Sequence, residues 1–334
     1  MISNRCSQLL CFCLLLSAIE SNCEYQCSHH GEEKITRVHL RKPGHSAVKR
    51  SLTDDVFNQT FRVYTHYDSS FSSGLSSGVQ SRIRDIVKNV TDFLQETLSV
   101  RQTPSPILLD RDCSNGRFYI TSGDVRPCVQ QCETTTTCGT ATVPQDHLLR
   151  CSQCGGSFSN CAESGTDGAG VSNVDYVLYI SAVSTGSCTN GGSTIAFAGA
   201  CQMEDEYDRP IAGYINFCSG GITSGSSDLF IFTVAKHEVL HALGFSKGLF
   251  PWFRDENGNP RTPRNSNGFP PSASGGGYMA SNNTVRVVTY NDWWTKDGVV
   301  SKTVTLLVTP KVVEIGKIHF NCSTLEGVQW KIRG

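Results

Sequence analysis

The sequence predicts an α+β fold in which several strands pack against two helices, and three stretches carry that expectation. FRVYTHYD (61–68) alternates apolar and polar residues as a half-buried strand does. Residues 79–98 place Ile83, Ile86, Val87, Val90, Phe93, Leu94 and Leu98 at three- and four-residue steps, which is one face of an amphipathic helix. Residues 228–243 are apolar on most sides and therefore read as a buried helix.

Taken in order, the chain opens with Arg5 ahead of an apolar run over residues 9–19 that gives way to Glu20, Ser21 and Asn22. A membrane span needs about 20 apolar residues and this run has about half that, so residues 1–22 read as a signal peptide and the protein as exported. Residues 23–50 are polar, show little apolar periodicity and close on Lys49-Arg50. They read as a pro-segment ending at a dibasic cleavage site, the bland alternative being a leader with no regulatory role. Residues 51–246 then form an N-terminal subdomain. Within it, 100–172 is rich in Cys, Gly, Thr and Ser and reads as loops and short strands stapled by disulfides. DYVLYISAV (175–183), STIAFAGACQ (193–202) and AGYINFC (212–218) read as strands of one sheet. Ser226 or Ser227 is a plausible cap for the buried helix, and Gly244 is expected to end it in a left-handed turn. Beyond Gly244 the composition shifts to Pro, Asn and Gly through Gly277, the loops of a second subdomain over 247–334.

The length of 334 residues allows one large or two ordinary domains, and a net charge of −1 offers no basic stripe for nucleic acid. Sixteen cysteines suit an oxidising lumen. Eleven of them lie from Cys113 to Cys322, an odd number, so one partner is missing or elsewhere. Cys151-x-x-Cys154 has the spacing of a zinc ribbon or redox motif, but among so many neighbours it reads as structural disulfide cysteines. Asn58, Asn89, Asn282 and Asn321 head N-x-S/T sequons, compatible with a glycoprotein.

The chemistry concentrates at His237-Glu238-Val239-Leu240-His241. Histidines four apart lie one turn apart on one helix face, so two imidazole nitrogens can reach one tetrahedral ion. Glu238, directly after the first, can reach a water on that ion without ligating it and serve as general base. The implied cofactor is one Zn2+, and a buried helix makes two histidines and a glutamate costly without it. A catalytic zinc takes three protein ligands and keeps an open position.

HEVLHALGFS (237–246), DRPIAGYINFC (208–218), FRDENGNPRTPR (253–264) and HFNCSTLEG (319–327) resemble the leishmanolysin family of peptidases, with similarity running from the leader to the end of the chain. The resemblance implies a metzincin-type zincin: a mixed twisted sheet with the active-site helix, then an irregular, disulfide-containing C-terminal subdomain. It also implies zinc-dependent endopeptidase activity on proteins or peptides, among them matrix or cell-surface proteins, with a role in cell adhesion or migration. It further implies that a leader cysteine occupies the zinc's open position until the leader is removed. Gln26-Cys27-Ser28-His29 is similar to that switch, with a Cys23–Cys27 disulfide as the alternative.

The compact metzincin motif has its third histidine six residues after the second, where this chain has Lys247. The resemblance implies a long insertion before that ligand and makes His319, the last histidine, a structural residue. The expectation is therefore of a shortened chain that stops before the third ligand, with Cys322 awaiting a partner beyond Gly334. A second function follows from the same reading: a catalytically impaired form acting as a secreted binding glycoprotein.

Overall fold

The computed structural model describes residues 35–38, 40, 59–121, 125–156, 158–188, 194–222 and 225–330. The expected signal peptide (1–22), Cys27, the Lys49-Arg50 pair and Asn58 lie outside them. Two compact units divide between Ser246 and Lys247.

The first unit is built on a five-stranded mixed sheet. Its strands are β1 (Thr36–Val38), β2 (Val63–Tyr67), β3 (Tyr176–Ser181), β4 (Ala196–Glu204) and β5 (Pro210–Phe217), in the order β1-β4-β5-β3-β2. β2, β3 and β5 are parallel, β4 runs antiparallel to β5, and β1 runs parallel to β4. β3 and β4 are buried along their whole length, which is why they read as continuous apolar runs while the half-exposed β2 alternates.

Two helices cover one face: α1 (Ser77–Thr97) and α2 (Asp228–Leu243). Ile83, Ile86, Val90 and Leu94 of α1 and Ile231, Val234, Val239 and Ala242 of α2 share a core with Leu178, Ile180, Ile215 and Phe217 of the sheet. The opposite face, with Val177, Tyr179, Ile211 and Ala212, is covered by Ile107, Leu109, Val143 and Leu148 from the cysteine-rich loops. Those loops are stapled by Cys113–Cys128, Cys132–Cys151 and Cys154–Cys161, and Cys138–Cys201 joins them to β4. Cys188–Cys218 closes the approach to β5. Cys151 and Cys154 thus pair with different partners and not with each other.

Two expectations change here. β1 lies inside the stretch expected to carry no regular structure. Three residues are too few to show a period, and the strand exists because β4 offers it an edge. Cys322 is disulfide-bonded, which overturns the expectation of a partner beyond Gly334; the odd count was taken over part of the chain only.

In the second unit the residues to Gly277 are turns around Trp252, whose ring packs against Phe269 and Tyr278 with Arg264 stacked on it. The irregularity expected of this subdomain ends there. β6 (Val285–Thr295) and β7 (Gly298–Leu307) form a long hairpin, α3 (Pro310–His319) follows, and β8 (Val328–Trp330) pairs with β7. Among the described residues no helix is long and apolar enough to cross a membrane. Asn89, Asn282 and Asn321 are all exposed.

Candidate active site

α2 is fixed at both ends. Ser227, one of the two caps expected, accepts from the Phe230 amide at 3.2 Å, and Arg82 of α1 pairs with Asp228 and with the Ser226 carbonyl. At the far end the amides of Gly244 and Phe245 both donate to the Leu240 carbonyl at 3.1 Å. Gly244 has φ 175°, extended rather than the left-handed turn expected. The double bond to Leu240 closes the helix without that conformation. The Tyr176 hydroxyl donates to the Ala242 carbonyl at 3.4 Å, tying the helix to β3. That hydroxyl passes so near β5 that a Cβ on Gly213 would stand 2.0 Å from it. Gly213 of the DRPIAGYINFC segment is therefore a packing requirement.

His237 and His241 lie on one face of this helix with their Nε2 atoms 3.0 Å apart and their rings edge to face at 82°. His241 Nδ1 abuts the Phe245 carbonyl, an acceptor only, so Nδ1 carries the proton and Nε2, facing His237 Nε2, is the unprotonated nitrogen. Burial pushes His237 down to about 3, with the neighbouring His241 adding to the effect, and burial pushes His241 down to about 4. Both rings are neutral at physiological pH, which is the ligating form. Two nitrogens bound at 2.0–2.1 Å to one tetrahedral ion stand about 3.3 Å apart, so the pair fits a single cation. The Phe245 carbonyl holding the second nitrogen is the kind of support that orients a metal-bound histidine. Glu238, the residue after His237, is 0 % exposed.

Among the described residues no group of three or more His, Cys, Asp and Glu side chains is arranged to hold a metal ion. His319 is exposed at the end of α3 with its ring against Phe320, and Lys247 is exposed. Sequence reasoning missed Tyr176 and Phe245, the first because a strand tyrosine reads as core, the second because it acts through its backbone.

A second imidazole pair lies on the opposite face of the sheet. His66 of β2 and His147 stand edge to face with centroids 5.4 Å apart, and His147 Nδ1 bonds the Tyr179 hydroxyl at 2.9 Å. Burial lowers both pKa values, partly opposed by Asp68 at His66 and by Asp146 at His147, while His66 adds to the lowering at His147.

Residues 128–334 match the family model described as leishmanolysin. The chain belongs to the leishmanolysin peptidase family. Similar proteins include a leishmanolysin-like peptidase of Drosophila pseudoobscura pseudoobscura, 36% identical over 97% of this chain and 49% of its own length. A leishmanolysin-like peptidase of Caenorhabditis briggsae is 38% identical over 82% of this chain and 42% of its own length. A ciliated left-right organizer metallopeptidase of Mus musculus is 33% identical over 51% of this chain and 25% of its own. This leishmanolysin-family chain thus spans about half the length, or less, of the curated relatives it matches.

Proposed function

We propose that the chain is an exported, zinc-dependent endopeptidase of the metzincin type, acting on proteins or peptides, with His237 and His241 as zinc ligands and Glu238 as general base. One observation carries the reading: two imidazole nitrogens converge at 3.0 Å on a buried helix, one of them held by a backbone carbonyl, with a buried carboxylate on the intervening turn. Family membership supports the peptidase class. Substrates among matrix or cell-surface proteins, a link to adhesion, and glycans at Asn89, Asn282 and Asn321 belong to the same proposal.

Zinc held by the two histidines would supply a lowered water pKa and a polarised scissile carbonyl. His237 and His241 orient it, His241 through its Nδ1–H bond to Phe245. Glu238 takes the proton of the attacking water and later passes it to the departing amine, and the apolar seat of α2 keeps bulk water from competing for that proton. Lys247 stands at the compact motif's third-ligand position, so that position supplies no imidazole.

The test is zinc content and peptide cleavage by the purified protein. Stoichiometric zinc with chelator-sensitive cleavage is expected. A folded protein that carries no zinc and cuts nothing would overturn the proposal in favour of a secreted binding glycoprotein.

A further inference from the structure

The outer edge of β4 is occupied by the protein's own leader. β1 pairs Thr36 with Gln202, Arg37 with Met203 and Val38 with Glu204, and the Asp205 amide donates to the Val38 carbonyl at 3.0 Å. Four further contacts anchor it. Val38 is 1 % exposed and belongs to the core beneath the cysteine-rich loops, with Leu40 packed against the same cluster. Arg37 Nε donates to the Asp208 carboxylate at 3.0 Å, and Arg37 Nη2 donates to the Asp205 carbonyl at 2.7 Å. The Asp208 side chain is 0 % exposed.

Arg37 therefore staples the tip of the β4–β5 hairpin. That tip is otherwise built from inside, because the Glu204 carboxylate accepts from the amides of Glu206, Tyr207 and Arg209. Withdrawing the leader would open a hole where Val38 sits, take the guanidinium from a buried carboxylate, and bare an edge strand whose nine residues are all buried. A disposable leader has no reason to carry a core side chain and a buried ion pair.

We infer that Thr36–Val38 is a permanent strand of the first unit, a docked segment that stays on the edge of β4 after the chain is cut at Lys49-Arg50. Removal of the leader, on this inference, is a cut in the connecting chain without departure of the strand. The inference is independent of the zinc reading.

A full-length chain whose residues 45–50 are replaced by the recognition sequence of a site-specific protease tests it. Hydrogen exchange is followed at the amides of residues 36–38 and Asp205 before and after the cut. This readout reports local docking even where a disulfide tethers the cut piece. Protection that persists within about threefold after cutting is expected, together with loss of at least about tenfold in the cut Arg37→Gln variant. Arg37→Gln read in the uncut chain covers the case where the cut variant aggregates, and faster exchange at Asp205 is again expected. Exchange in the cut wild-type rising to the rate of an unpaired edge, with the thermal midpoint unchanged, would overturn the inference. So would an Arg37→Gln chain, cut or uncut, that exchanges at the wild-type rate.

Discussion

The two imidazole pairs of the first unit have the same residue types and pKa values lowered by burial, yet their chemistry differs. In the helix pair His241 Nδ1 faces the Phe245 carbonyl and the Nε2 atoms of the two rings converge at 3.0 Å. In the sheet pair the rings meet edge to face, and His147 spends Nδ1 on a tyrosine hydroxyl. What separates a ligand set from a satisfied polar cluster is where the lone pairs point. Burial and residue type are common to both.

The comparison can be broken most sharply by removing one ring at a time. His237→Ala or His241→Ala is expected to take zinc to background by metal analysis, because one remaining imidazole does not hold the ion. Retained stoichiometric zinc in either variant would break the contrast. Next in size, Glu238→Gln is expected to keep zinc and lower peptide turnover by about 10²–10⁴-fold. Unchanged turnover would remove its assigned role.

On the other face, His147→Phe is expected to leave zinc untouched and to lower stability by about 1–3 kcal/mol in denaturant unfolding, since the buried Tyr179 hydroxyl loses its partner. The smallest effect is a pH slope. The ordinary histidine pKa of 6.5 is lowered at His66 and His147 in the folded state, so below 6.5 the unfolded chain binds more protons. Their contribution is complete above pH 6.5 and is lost as pH falls through that value toward the folded pKa values. Thermal midpoints of the His66→Gln/His147→Gln double variant are expected to fall less steeply, by about a few degrees, between pH 6.5 and 5. Parallel curves for variant and wild type would show that the pair does not titrate in this way.

Much of the first unit was legible before any coordinates. α2 carries its cap and its apolar content in one run, and α1 carries its face at helical spacing. Strands β3, β4 and β5 declare themselves through Val, Ile, Tyr and Phe, although β4 runs on to Glu204 and β5 starts earlier, at Pro210. The HEVLH pentad showed which side chains could converge, since helical periodicity alone puts His237 beside His241. What sequence could not carry was everything that depends on a distant neighbour. β1 is a strand only because β4 is open beside it. Gly244 departs from the left-handed turn because two amides already share Leu240, and the tautomer of His241 depends on the position of one carbonyl. The β6–β7 hairpin went unread for another reason: its apolar residues, Val287 and Trp294 among them, are largely exposed, so its strands lack the clean alternation of a one-sided sheet.

Cys138–Cys201 bridges 63 residues and plants one foot on β4. A cross-link over a loop of that size removes about 4 kcal/mol of chain entropy from the denatured ensemble on the loop-closure account. Its foot on β4 matters more than its length, because β4 is also a strand on which α2 rests. Reduction would therefore release the loop layer and loosen the seat of the HEVLH helix together. The helix acquires a firm platform only once this disulfide has formed. Material produced in a glutathione-poised cytosol would carry the right sequence on an unsecured sheet.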